Sequence, residues 1–260
     1  MLRPRIIPCL LLSAGGLVKT RRFADPKYVG DPINAVRIFN EKAVDELIVL
    51  DIDATRQGRA PDRALIARMA NECRMPLCYG GGIASEDEVD RIISLGVEKV
   101  SLSAAALADP SLIDRSARRV GTQSIVVTLD VRKTGLLGGQ TVVTHNGTRK
   151  TGRKPLDVAV EMQTRGAGEI VINMVDRDGE MGGYDLDFVA RMREAVTVPV
   201  TLLGGAGSLD DIAALIRQEG LVGAAAGSLF VFKGKYRAVL INYPNRDEKD
   251  ALFSRAGFGG

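Results

Sequence analysis

The chain of 260 residues, 45% of them hydrophobic, can bury one large α/β core or two small ones. Its 35 basic and 32 acidic residues leave a formal charge of +3, too weak to imply a nucleic-acid or anionic-membrane partner. No apolar run reaches the length of a membrane span and the N-terminus enters a strand directly, so a soluble, cytoplasmic protein without a signal peptide is expected.

Arg5-Ile-Ile-Pro-Cys-Leu-Leu-Leu12 is apolar after its first residue and reads as a strand buried on both faces, turned sharply by Gly15-Gly16. From there strand-like and helical runs alternate, the signature of repeated βα units. Strands are expected at about 5–12, 46–51, 76–80, 98–103, 123–130, 168–174, 198–203 and 221–226. Helices are expected at about 32–43, 61–73, 86–95, 110–119, 155–166, 186–196, 209–218 and 233–242. Asp31-Pro32 supplies a cap and a first helical residue, and Ser85-Glu-Asp-Glu88 reads as a capping box closed by Gly96. The polar tail from Asn245 to Gly260 reads as mobile. Residues 1–232 are taken as a barrel core, and 233–260 as a final helix and tail of the same domain.

Residues of the first half recur 123 positions later: Pro32 with Pro155, Glu46 with Glu169, Asp53 with Asp176, Gly81 with Gly204, Gly82 with Gly205, and Ser85 with Ser208. Two similar (βα)4 halves predict an α/β (βα)8 TIM barrel; a doubly wound open sheet is the runner-up, but lacks its nucleotide fingerprint. Between the fifth strand and helix the chain inserts Gly138 to Lys150, where Asn146-Gly147 signals a hairpin and His145 reads as an exposed turn residue. Cys9, Cys73 and Cys78 read as reduced, buried thiols. With one histidine and no ligand spacing, neither a metal nor a cofactor is expected.

In such a barrel the chemistry belongs at the C-terminal strand ends. Gly80-Gly-Gly82 before Ser85 and Gly204-Gly-Ala-Gly207 before Ser208 read as anion cradles, backed by Ser101 and Ser103 on one side and Gly227 and Ser228 on the other. The pair suggests a phosphorylated small molecule with two phosphates. Asp51, Asp53, Asp130, Asp176 and Asp178 stand at strand ends and Lys19 follows the first turn, with Asp130 the foremost candidate because it closes an apolar strand.

Arg5-Ile-Ile-Pro-Cys-Leu, Gly80-Gly-Gly-Ile, Arg165-Gly-Ala-Gly-Glu-Ile170, Asp176-Arg-Asp-Gly179 and Gly204-Gly-Ala-Gly207 together resemble the HisF family, the cyclase subunit of imidazole glycerol phosphate synthase, over residues 1 to about 232. The resemblance implies a HisH-like glutaminase docked on the barrel floor and ammonia passing through the barrel to a bisphosphorylated substrate. It implies catalytic carboxylates at the ends of strands one and five. The second falls on Asp130; the first falls on Leu11. Lys19, Asp51 and Asp176 complete the catalytic candidates, with Gly81, Gly82, Ser103, Gly204, Gly205 and Ser228 for phosphate. The family's Asn-Thr after strand four is here Ser103-Ala104. Arg5, Glu46, Lys99 and Glu169 match the family's ammonia gate, or else form a salt-bridged plug.

Leucine transfers no proton, which disfavours both the cyclase and the related isomerase of histidine synthesis. A second resemblance, carried by Gly227 to Pro244, is to HisF-like proteins of surface-polysaccharide clusters that act with a glutaminase and an N-acetyl sugar amidotransferase on acetamidino sugars. The expected function is therefore an ammonia-conducting barrel subunit. An authentic cyclase and a barrel that only activates its glutaminase are the alternatives.

Overall fold

The computed structural model describes residues 3–135 and 139–258, so Gly138, the first residue of the expected hairpin, lies outside the described residues. The elements of the first half are β1 (Arg5–Ser13), β2 (Gly16–Arg21), β3 (Ala24–Gly30), α1 (Pro32–Glu41), β4 (Leu47–Asp51), α2 (Arg63–Glu72), β5 (Leu77–Gly80), α3 (Glu86–Ser94), β6 (Lys99–Leu102), α4 (Ala104–Ala108) and α5 (Ser111–Val120). The second half holds β7 (Ile125–Thr134), β8 (Gly139–Thr144), β9 (Arg149–Lys150), α6 (Pro155–Thr164), β10 (Glu169–Met174), α7 (Leu186–Ala195), β11 (Val200–Leu203), α8 (Leu209–Glu219) and β12 (Gly223–Ala226). After it come α9 (Ser228–Val231), β13 (Phe232–Lys233), β14 (Ala238–Val239) and α10 (Arg246–Arg255).

Eight parallel strands close in the order β1-β4-β5-β6-β7-β10-β11-β12, with β12 paired back to β1: a (βα)8 TIM barrel. Alternation along each strand sorts the side chains. Ile6, Leu10 and Leu12 of β1 point outward to the helices, while Ile7 and Cys9 point inward beside Ile48, Cys78, Val126 and Val171. The helices start where a side chain can take a free amide: the Asp31 carboxylate accepts from Asn34 N–H at 2.9 Å, and Ser208 and Asp211 form a full capping box on α8. At α3 only half of the expected box forms: Ser85 Oγ accepts from Glu88 N–H, while the Glu88 carboxylate lies 3.6 Å from Arg63.

Two sequence expectations fail at the C-terminus. The helix expected at 233–242 is the β13–β14 hairpin, because Gly234 at φ +73° and Arg237 at φ +50° turn the chain back. Residues 240–245 then form an extended strap. Leu240 and Asn242 donate to the carbonyls of Val231 and Phe230, and the Tyr243 phenol donates to Ile6 O at 2.8 Å. The tail expected to be mobile supplies the eighth helix. On α10 the side chains of Leu252 and Phe253 are buried, as is Ala256 just after it; the helix packs on α8, and Lys249 pairs with Asp45 at 2.8 Å. The sequence misleads because the apolar density lies in 238–241, which the hairpin leaves largely exposed, while α10 holds only two large apolar residues in its ten. The β2–β3 ribbon, which extends β1 over the mouth, was also unforeseen.

Since Leu252 is fully buried, Leu252→Ala should lower unfolding free energy by about 2–5 kcal/mol in urea titrations. An unpacked tail would leave the transition unmoved.

Candidate functional site at the barrel mouth

β1 and β7 stand four strands apart, so they face each other across the barrel. Leu11 near the end of β1 and Asp130 on β7 both line a cavity of about 550 Å³ at the C-terminal strand ends. Leu50, in register with Leu11, makes that side of the wall apolar. The β8–β9 hairpin roofs the cavity: Asn146 donates its amide to Ile52 O at 2.8 Å, and His145 is half-buried in the lining instead of exposed as expected. Burial and the nearby Arg149 hold the His145 imidazole below its ordinary pKa.

Asp130 is the titratable centre. Burial pushes its carboxyl up to about 7, with the Asp178 charge in the same direction and the Asn173 hydrogen bond opposing. Asn173, its partner in the β7–β10 register, donates to Oδ1 at 2.8 Å. The group can therefore hold or release a proton near neutrality. Leu11 opposite it can do neither.

The other candidates divide. Lys19 is buried, ion-paired with Asp178, and hydrogen-bonded to Thr20 O at 2.8 Å. Asp178 also accepts from the Thr20 hydroxyl at 2.7 Å and from Phe23 N–H, pinning the β2–β3 ribbon. Lys19, Asp178, Gly204, Gly205, Gly227 and Ser228 enclose a second, small cavity of about 30 Å³, whose wall shares Leu11, Phe23 and Asn173 with the first. Asp51 lines the larger cavity, but its carboxylate is occupied by Arg59 at 2.9 Å and by the N–H groups of Asp53 and Ala54. Asp176 lines neither cavity and accepts from Lys133 N–H at 2.7 Å, so in this repeat the mouth residue is Asp178. Asp53 braces the β1 turn by accepting from the Ser13 hydroxyl at 2.7 Å.

Gly81, Gly82 and Ser103 line the larger cavity, Gly204, Gly205 and Ser228 the smaller. The glycines are obligatory where two loops touch: at φ +113° a Cβ on Gly81 would sit 2.3 Å from Asp51 O, and at φ +116° one on Gly205 would sit 2.1 Å from Gly183 O. Sequence reasoning missed Asn173, Asn146, Arg59 and Phe23. Asn146 carries a hairpin signal but no sign of a place in the site; the other three have no local motif, and only folding brings all four to the mouth.

At the opposite end, Arg5, Glu46, Lys99 and Glu169 form one network. Arg5 binds Glu46 and, at 2.7 Å, Glu169; Lys99 binds Glu46 at 2.9 Å and Glu169 at 2.8 Å; Thr201 donates to Glu169 at 2.6 Å. Burial alone would lower the pKa of Arg5 and of Lys99 and raise that of Glu169, yet the opposite charges outweigh it and hold all three ionised. Between this floor and the mouth lie Ile7, Cys9, Ile48, Cys78, Val126, Val171 and Ala225, an apolar interior in which burial pushes the Cys9 thiol up to about 12. Cys9 and Cys78 are free and buried; Cys73 is free and only half-buried.

The closed (βα)8 barrel carries two glycine loops, one perturbed carboxyl and a buried lysine at its mouth. The family model "Histidine biosynthesis protein" matches residues 5–237. The chain is 56% identical over 253 residues, 97% of this chain and 100% of the relative, to "Putative imidazole glycerol phosphate synthase subunit HisF" of Leptospira interrogans. To a similarly named Vibrio vulnificus (strain YJ016) protein it is 59% identical over 250 residues, 96% of each chain. "Imidazole glycerol phosphate synthase subunit HisF" of Escherichia coli (strain SE11) is 40% identical over 234 residues, 88% of this chain and 91% of that one. The chain belongs to the HisF family of histidine biosynthesis proteins. Among the described residues no helix is long and apolar enough to cross a membrane.

Asp130 makes a pH prediction. Its folded pKa, about 7, lies above the ordinary aspartate value of 3.8, so the folded state binds the extra proton between those limits. This contribution to stability is complete below about pH 4 and is lost as pH rises through 7. Asp130→Asn, which cannot ionise, should therefore gain in melting temperature relative to the natural chain as pH rises from 4 to 7.5. A constant difference across that range would refute the raised pKa.

Proposed function

We propose that this chain is the barrel subunit of a glutamine-dependent amidotransferase system, accepting ammonia from a HisH-like glutaminase at its floor and releasing it at a mouth that does not perform the cyclase reaction. The observation that carries this reading is Leu11 opposite Asp130, above an intact four-charge floor. Cyclisation with cleavage of the family's substrate needs proton transfer on both sides of the ligand, and here one side is leucine. Ser13 offers no substitute, because its hydroxyl is bound to Asp53 and is too weak an acid or base. The likeness of the C-terminal segment to the polysaccharide branch supports an acetamidino sugar, formed with an N-acetyl sugar amidotransferase, as the destination of the nitrogen.

Ammonia is small and neutral when unprotonated, so an apolar interior suits its passage while a ring of charges at the floor excludes solvent and ions. Asp130, poised near neutrality, can take up or release the proton that accompanies the exit of ammonia from that interior.

A second reading, the cyclase subunit of imidazole glycerol phosphate synthase, is favoured by the printed names of the relatives. Growth without histidine separates the two. In a strain lacking its own cyclase subunit, a chain missing one acid or base should fall short by about 100- to 10,000-fold in rate and fail to restore growth. Full growth on the unmodified chain would reinstate the cyclase. The conduit itself is tested by Lys99→Met, which removes one floor charge and keeps the aliphatic stem. With amide-15N glutamine, label entering the surface polysaccharide should drop sharply while added ammonium still supports modification; unchanged labelling would sink the gate.

A further inference from the structure

Among the described residues seven large hydrophobic side chains are exposed, and four of them stand on the β2–β3 ribbon and the β13–β14 hairpin with its outgoing strand: Tyr28 (65% exposed), Tyr236 (90%), Val239 (42%) and Leu240 (51%). Single exposed apolar side chains need no explanation, but their gathering on two neighbouring elements does. The barrel does not need them for closure, since its eighth helix is α10, packed on α8 through Leu252 and Phe253.

The ribbon and the hairpin are held together as one piece. Lys27 of β3 donates to Arg237 O at 3.1 Å, and its ammonium lies 5.0 Å from the centre of the Phe232 ring, with the Arg237 guanidinium 5.9 Å from the same ring. Arg237 also donates to Gly179 O at 2.6 Å. Gly179 and the ribbon residue Phe23 line the smaller cavity, so this piece forms part of the rim of the mouth. Tyr28 has its seat over Gly16, where a Cβ would come within 2.7 Å of the ring.

Its charge is one-sided. From Gly220 to Arg246 the chain has no acidic residue, and the hairpin carries Lys233, Lys235 and Arg237. On the ribbon Lys19 is paired with Asp178, and Arg21 and Arg22 share Glu180. Lys27 and Arg237 donate to backbone carbonyls, Lys233 and Lys235 stand exposed, and among the described residues none of these four is in an ion pair. Against them the ribbon sets one acidic residue, Asp25.

We propose that this edge of the mouth docks an acidic face of the enzyme that accepts the nitrogen, with Tyr28 and Tyr236 as anchors and Lys27, Lys233, Lys235 and Arg237 as the complementary charges. Exposed tyrosines and aliphatic side chains beside unpaired cations are the make-up of a protein interface, and the cations steer an acidic partner to it. A second copy docked by twofold symmetry would set the same cations against each other. The short hairpin offers no amphipathic helix to lie on a bilayer. The floor lies at the other end of the barrel, so a glutaminase there and this partner can be bound at once. Nitrogen leaving the mouth then passes to the next site without crossing bulk water. The inference rests on the proposed function for the identity of the partner.

Biolayer interferometry of the purified chain against the purified N-acetyl sugar amidotransferase, with and without the glutaminase, tests it. The natural chain should bind at about 50 mM salt and several-fold more weakly at about 300 mM. Tyr236→Ser and the double variant Lys233→Glu, Lys235→Glu should each weaken binding by about tenfold or more. Because these side chains are exposed, melting temperature and glutaminase binding should match those of the natural chain. Lys99→Met at the floor should bind the amidotransferase as the natural chain does. Unchanged affinity in either hairpin variant overturns the inference. No binding by the natural chain also overturns it, whether Tyr236 then proves to mediate binding to phosphatidylglycerol vesicles, self-association or neither. Failure here leaves the labelling and growth results standing, whereas growth without histidine on the unmodified chain removes the proposed function without altering the measured affinities.

Discussion

The barrel's floor is set by a charge balance that no single residue can leave. Arg5 and Lys99 each bridge Glu46 and Glu169, so four strands, β1, β6, β10 and the start of β4, meet at one neutral knot. Removing any one partner strands a buried or half-buried charge, a loss of the 3–5 kcal/mol order, whereas replacing all four with packed apolar residues is often neutral or stabilising. Stability alone therefore does not account for a polar floor beneath an apolar interior. Above the knot the core is filled with Ile, Val and Cys, so a charged floor is followed by an apolar interior, the composition that the proposed conduit requires.

The mouth depends on the same closure. Because the eight strands return on themselves, β1 and β7 oppose each other and whatever ends those strands shares one cavity. Asp130 gains its raised pKa there through burial in that wall, with the Asp178 charge adding in the same direction. Leu11 opposite it offers no proton-transfer group and makes that side of the wall apolar.

The barrel was legible because its signal is repeated. Eight strand-like runs separated by helices, and matched glycine loops at Gly81 and Gly204, each say the same thing, so an error at one boundary changes nothing. The eighth helix was not legible because it carries no such redundancy. Val239 and Leu240 have the apolarity of a packed helix but lie exposed on a hairpin set by Gly234 and Arg237, while Leu252 and Phe253 do the packing from within a charged run. Of the site, residues at strand ends could be read directly. The choice of Asp178 over Asp176 could not, because two residues apart on a turn they differ only in which way the chain has rotated after β10.

Overall identity to relatives and the chemistry of one position carry different information about this chain. Identity of 40% over 234 residues with an Escherichia coli HisF subunit speaks to the fold, because many residues vote on packing. Catalysis is decided by a few atoms, and a proton transfer lost at one of them is not restored by agreement elsewhere. Leu11 is well accommodated rather than strained: it pairs in register with Leu50 on one side and Val18 on the other, and sits among apolar neighbours. A position that had merely lost its acid would leave polar partners aimed at an empty place. Here Leu11 and Leu50 lie side by side, so this side of the mouth is apolar while Asp130 and Asn173 keep the facing side polar.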